Sequence, residues 1–129
     1  MNTREKSLQD ISIEEIDNKV AKKESFVLNL VASWCPDCTE KQAPNLPAFE
    51  QNLMGSELSL YNIVVQHNKG EFLSAVHQGL VEQLGGHGYP RTVLFVSGQA
   101  IDTDNVEITS IEQLAALADK FKARIKKPA

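Results

Sequence analysis

The chain has 129 residues, 42% of them hydrophobic and 23% charged, which suits one globular domain spanning 1–129 and excludes disordered and fibrous classes. Thirteen basic residues against 17 acidic ones leave a formal charge of −4, so there is no electrostatic footprint for a phosphate backbone and no nucleic-acid partner is expected. No apolar run reaches the ~18 residues of a membrane span, and the polar Met1–Asp10 segment lacks the core of a secretory signal, so the expected location is cytoplasmic, or periplasmic if a leader peptide has been removed ahead of Met1.

In chain order, Leu8–Ile11 is a candidate short strand. Ser12 and Glu15 have capping-box spacing, and Ile13, Ile16 and Val20 give a helical stripe reaching about Lys23. Phe26–Ala32 is almost wholly apolar, as a strand buried on both faces is. After Ser33-Trp34-Cys35-Pro36-Asp37-Cys38, the segment Thr39–Leu53 reads as helix, with Pro44 and Pro47 forcing a kink or a restart. Leu58–Val65 is a second strand. Gly70–Leu84 follows as a helix carrying Phe72, Leu73, Val76, Leu80, Val81 and Leu84 on one face. Gly85, Gly86 and Gly88 break it; Tyr89 and Pro90 then lead into a strand over Thr92–Val96. Ser97-Gly98-Gln99 is a tight turn toward a partner strand within Ala100–Ile108, and Ser110–Ile125 closes with an amphipathic helix through Ile111, Leu114, Leu117 and Phe121. Phe26, Phe49, Phe72, Phe95 and Phe121 read as core. The terminal basic residues Lys120, Lys122, Arg124, Lys126 and Lys127 suit a solvated helix end. This order predicts an α/β fold, a central mixed sheet flanked by helices on both faces.

The chemistry lies in two cysteines separated by two residues where a central strand meets a helix. Such a pair closes a small disulfide ring, and the partial positive charge of a helix N-terminus favours thiolate at Cys35. Cys35 is then the nucleophile and Cys38, one turn deeper, the resolving thiol. Pro36 stiffens the ring; Asp37 opposes the helix, because its negative charge disfavours a second one nearby. Two rival readings are a pair of small buried hydrophobes and a zinc site. A closed zinc site needs four ligands, and only His67, His77 and His87 could add to the pair, with no metal spacing among them, so no metal is expected.

Trp34-Cys35-Pro36-Asp37-Cys38 resembles the Trp-Cys-X-X-Cys signature of the thioredoxin superfamily, and Pro90 resembles its cis-proline. The resemblance covers nearly the whole chain and is strongest over Val27–Leu53, where it is similar to TlpA/ResA-type thiol-disulfide reductases; cytosolic thioredoxin-related proteins carry the same pentapeptide. It implies the thioredoxin fold and a thiol-disulfide oxidoreductase that reduces protein disulfides, with no cofactor beyond the redox-active Cys35–Cys38 pair. The implied partners are protein thiol or disulfide substrates and an electron donor, either a protein or glutathione; the expected state is monomeric. In thioredoxin proper the position five before the tryptophan is a buried aspartate that serves the resolving cysteine. Here it is Asn29, as is common in the TlpA-like branch, which leaves water, Glu40 or Lys41 as candidate proton acceptors. Trp34, Tyr89 and Pro90 are expected to form the substrate groove, with Arg91 bordering it. Trp34 as a purely core aromatic is the other reading of that residue. His87 is a possible modulator of Cys35, or simply a solvated loop histidine. Two alternative functions remain open: a periplasmic-type disulfide oxidase or isomerase, and a non-catalytic redox-sensing binding or chaperone module.

Overall fold

A computed structural model of the protein describes residues 9–86 and 88–125. Its strands are β1 (Gln9–Asp10), β2 (Phe26–Ala32), β3 (Leu60–Asn68), β4 (Glu71–Phe72), β5 (Arg91–Val96) and β6 (Gln99–Val106). The α-helices are α1 (Ile13–Ala21), α2 (Leu46–Leu53), α3 (Ala75–Gln83) and α4 (Ile111–Ile125). The strands form one mixed sheet in the order β1-β3-β2-β5-β6, with β4 added to β3. β3 runs parallel to both β1 and β2, whereas β2–β5, β5–β6 and β3–β4 are antiparallel.

β2 is central because all seven of its residues are buried, so its apolar run has a packed layer on each face. On one face Phe26, Leu28 and Leu30 pack with Ile16 of α1 and with Val81 and Leu84 at the end of α3, in the same cluster as Cys35 and Cys38. On the other, Val27 and Leu94 meet Leu46, Phe49 and Leu53 of α2 and Leu114, Leu117 and Phe121 of α4. Phe26 stacks on Phe95 with ring centroids 4.5 Å apart; truncating so buried an aromatic to alanine costs about 3–5 kcal/mol. The sheet covered by helices on both faces is the architecture that the alternating sequence pattern predicts.

The capping box is formed as read. Ser12 Oγ accepts from the Glu15 N–H at 3.1 Å, and Glu15 Oε1 accepts from the Ser12 N–H at 2.9 Å. The segment after the cysteines does restart at its prolines: Asp37–Gln42 is a wide π-type turn, Ala43–Asn45 a tight 3-10 turn, and regular α-helix begins only at Leu46. Pro44 and Pro47 lack the N–H groups that would continue the ladder.

Gly70–Leu84 is not one helix. Phe72 pairs with Gln66 in the β3–β4 ladder, and α3 starts after Ser74, whose Oγ accepts from the His77 N–H at 3.2 Å. Leu73 and Val76 are exposed, so the apolar face of this segment reduces to Val81 and Leu84, with Phe72 and Leu80 partly buried against the core. Ile111, read as part of the α4 stripe, is likewise exposed.

Candidate active site

The end of β2 places the cysteines. The Cys35 N–H donates to the Ala32 carbonyl at 3.1 Å, turning the chain out of the sheet, while the Ser33 N–H donates to the Gln66 carbonyl at 2.9 Å and ties that turn to β3. The Cys35 carbonyl then accepts from the N–H groups of Cys38 and Thr39, both at 3.0 Å, and from Thr39 Oγ1 at 3.2 Å. Cys35 thus stands just ahead of the first helical turn, and Cys38 lies within it, close behind. Both are free and buried. Cys35 Sγ faces the Tyr89 carbonyl at 3.8 Å, and the Tyr89–Pro90 peptide is cis.

A cleft of about 510 Å³ opens at Cys35, walled by Trp34, Pro36 and Asp37 on the cysteine segment, by Gln66, Lys69 and Gly70 at the β3–β4 turn, and by Gly88, Tyr89 and Glu107. Trp34 is half-buried: its ring meets Tyr89 edge-on at 6.2 Å, and its Nε1–H donates to Gln66 Oε1 at 2.8 Å. The Gly70 N–H donates to the same oxygen at 3.0 Å. Lys69 Nζ lies 5.5 Å from the Trp34 ring centroid, within cation–π range. Asp37 pairs with Lys41 at 3.3 Å across one helical turn.

Burial pushes the Cys38 thiol up to about 12, with Cys35 and Asp37 adding to the effect and a backbone hydrogen bond from the Ala32 region opposing it. Cys38 is therefore a thiol, not a thiolate, at neutral pH. Burial also raises Tyr89, with Cys38 reinforcing and Arg91 opposing. Its buried hydroxyl has no hydrogen-bond partner among the described residues.

Asn29 does not line the cleft. It lies wholly buried in β2, where Nδ2 donates to Gln42 Oε1 at 2.8 Å and to Asn62 Oδ1 at 3.0 Å, and Oδ1 accepts from Thr92 Oγ1 at 2.9 Å. Each of these direct partners is neutral, so none of them can take a proton from Cys38. Glu40 and Lys41, the other candidate acceptors, are exposed.

Trp34, Cys35, Pro36, Asp37 and Tyr89 are brought to one cleft, and Pro90 is buried beside it. Arg91 does not border the groove. It is buried under the Gly85 turn, where its Nη1 donates to the Thr103 carbonyl at 2.6 Å and would collide with any side chain at Gly85. His87 lies outside the described residues. Gln42, Gln66, Lys69 and Glu107 are the site residues that sequence reading missed. Gln66 ends an apolar strand run, but nothing local marks the other three.

No protein-family model matches the chain, and no curated protein matches it. Solved structures do. The J-Trx1 fragment of ERdj5 is 20% identical with a TM-score of 0.67, covering 95% of this chain and 53% of that one, so this chain spans about half its length. Oxidised thioredoxin from Plasmodium falciparum is 17% identical with a TM-score of 0.66, covering 90% of this chain and 99% of that one. Mitochondrial thioredoxin 3 from Saccharomyces cerevisiae is 18% identical with a TM-score of 0.65, covering 91% and 95%. The strand order, the helices on both faces and these superpositions agree: the chain has the thioredoxin fold, with Cys35 and Cys38 together at the end of its central strand.

Proposed function

We propose that the protein is a thiol-disulfide oxidoreductase that reduces disulfides of other proteins through Cys35 and Cys38. The observation that carries this reading is the arrangement of the pair: Cys35 at a cleft wall facing the Tyr89 carbonyl, with the protonated Cys38 thiol buried behind it. An extended substrate segment in the cleft would meet the Tyr89 backbone beside the nucleophile.

In the forward step the Cys35 thiolate attacks one sulfur of the target disulfide. A Cys35–target bond forms, the target S–S bond breaks, and the second target sulfur leaves as thiolate. Cys38 then attacks Cys35 Sγ, forming the Cys35–Cys38 disulfide and releasing the first target sulfur. Two electrons pass to the target. None of the direct hydrogen-bond partners of Asn29 is a base, so we assign the Cys38 proton to the departing target thiolate. A dithiol protein or glutathione returns the electrons. Asn29 and the Trp-Cys-Pro-Asp-Cys motif support the finer reading of a TlpA/ResA-type reductase.

The test is the reduction potential of the pair, titrated in glutathione or dithiothreitol buffers and read by alkylation and mass. A value below about −230 mV supports the reductase; one above about −180 mV turns the reading to disulfide formation or isomerisation. A wild-type phenotype with Cys35→Ser would instead favour a binding module whose cysteines only sense redox state.

A further inference from the structure

We propose that the cleft beside Cys35 selects its substrates by charge: Lys69 on one wall takes an acidic side chain of the bound disulfide-bearing segment, and Glu107 on the other takes a basic one. The inference rests on the thiol-disulfide reading above and names the substrate class for that site.

Lys69 is held to the site from two directions. The β3–β4 ladder, pairing Gln66 with Phe72 and Asn68 with Glu71, closes the turn that carries it. Gln66 Oε1, accepting from both Trp34 Nε1 and the Gly70 N–H, locks that turn to the indole. The ammonium stands 5.5 Å from the Trp34 ring centroid, so its charge belongs to the Trp34 wall.

Glu107 is held independently, from the end of β6. It follows β6 in the left-handed region, with φ 62, where a residue with a side chain is uncommon and its placement informative. Its N–H donates to the Pro90 carbonyl at 2.8 Å, fixing it beside Tyr89, whose own carbonyl faces Cys35 Sγ. Glu107 thereby lines the same cleft as Tyr89.

Cys35 lines the same cleft as both. Neither Lys69 nor Glu107 has an oppositely charged partner among the described residues, whereas the third charge lining the cleft, Asp37, is offset by Lys41 at 3.3 Å. An extended segment crossing from wall to wall meets a cation on one side of its reacting cysteine and a carboxylate on the other. Charge complementarity of this kind orients a partner and speeds encounter.

The test uses the reduced full-length protein and three short peptides of one sequence, each carrying a single cysteine in mixed disulfide with 2-mercaptoethanol. The first has Glu before and Lys after the cysteine, the second has the order reversed, and the third has Ser at both places. Release of 2-mercaptoethanol is timed at low and high salt. The expected result is that the two charged peptides differ by about fivefold, as two exposed ion pairs allow, and that the ratio falls toward one in ~1 M salt. The double variant Lys69→Glu/Glu107→Lys should invert the preference. Should it fail to fold, Lys69→Glu alone, on an exposed turn, should shrink it. Equal rates for the two charged peptides overturn the proposal, and so does a preference that survives the variants. Failure with the Ser peptide as well overturns the thiol-disulfide reading itself, which separates the two failures.

Discussion

Asn29 and Gln42 exchange two side-chain hydrogen bonds beneath the cysteine segment: Asn29 Nδ2 donates to Gln42 Oε1 at 2.8 Å, and Gln42 Nε2 donates back to Asn29 Oδ1 at 3.2 Å. The pair sits within a polar row running straight across the sheet, because Asp10, Asn62, Asn29, Thr92 and Asn105 are register partners on five successive strands. Gln42 also donates to the Ile108 carbonyl at 3.0 Å, so the π-type turn bearing Cys38 is fastened to both the central strand and the segment before α4. Satisfied in this way, buried amides rigidify a core; half-satisfied, they would weaken it.

That dependence makes Asn29→Asp informative. The carboxylate loses both Nδ2 donations and faces Gln42 Oε1 and Asn62 Oδ1 with a charge that none of its direct partners offsets. An uncompensated buried charge costs about 3–5 kcal/mol, and the group responds by holding its proton. Its folded pKa is therefore raised, so stability is intact below the unfolded carboxylate value, ~4, and is lost as pH rises through the folded one. Urea unfolding at pH 5 and pH 8 should show the larger loss at pH 8. A cost that does not depend on pH would mean that water reaches the site. The new base should also shorten the lifetime of a Cys35 mixed disulfide.

How much of this was readable in the sequence depended on how local the cause is. Ser12 and Glu15 are three residues apart and bond to each other's backbone, so the capping box is visible in one line of text. Cys35 and Cys38 are legible for the same reason. Phe72, Leu73, Val76, Leu80 and Val81 fit a helical period, yet Phe72 is claimed by β3 and the helix waits for Ser74, because cross-strand pairing overrides local spacing. The polar row and the Lys69 and Glu107 walls are contacts between segments distant in sequence. Strand register and one left-handed residue create them, and no local pattern encodes either.

The raised Cys38 thiol gives a stability signature at high pH. Its ordinary value is 9.0 and its folded value about 12. The folded state keeps this proton after the unfolded chain has lost it, so the contribution is full below about pH 9 and declines through about pH 12. Reduced wild-type protein should lose a few kcal/mol of stability across that window relative to Cys38→Ala, as followed by urea denaturation. Parallel curves for the two proteins would contradict the burial argument. At neutral pH, iodoacetamide should label Cys38 far more slowly than it labels a free cysteine.

Gln66 joins the indole to the β3–β4 turn through one oxygen. Gln66→Leu leaves Trp34 Nε1 and the Gly70 N–H without that acceptor, a loss of about 1–3 kcal/mol in unfolding free energy. Trp34 is the only tryptophan, so its fluorescence reports on the surroundings of this one indole. The variant should shift its emission and increase its quenching by acrylamide, and Gln66→Glu, which keeps an acceptor, should restore most of the signal. Unchanged emission in Gln66→Leu would show that the indole is positioned by Tyr89 and Lys69 instead.

The hairpin turn between β5 and β6 is docked against the end of α1, far from the cysteines in sequence. Gly98 has φ +82 and donates its N–H to the Glu24 carbonyl at 2.9 Å. A Cβ added there would stand 2.6 Å from the Val20 carbonyl oxygen and 3.1 Å from Lys23 Cα, both backbone atoms that cannot swing aside. Gly98→Ala therefore combines left-handed strain of about 1–2 kcal/mol with a collision that must displace either the turn or the last turn of α1. Gly55 supplies the control, since its φ is +87 and an added Cβ would have nothing within 4 Å. Gly55→Ala should cost only the backbone strain, and Gly98→Ala at least about 1 kcal/mol more, measured by urea denaturation of both. Equal losses would show that the turn lifts off α1 without penalty, and that its docking contributes nothing to holding β5 and β6 in register.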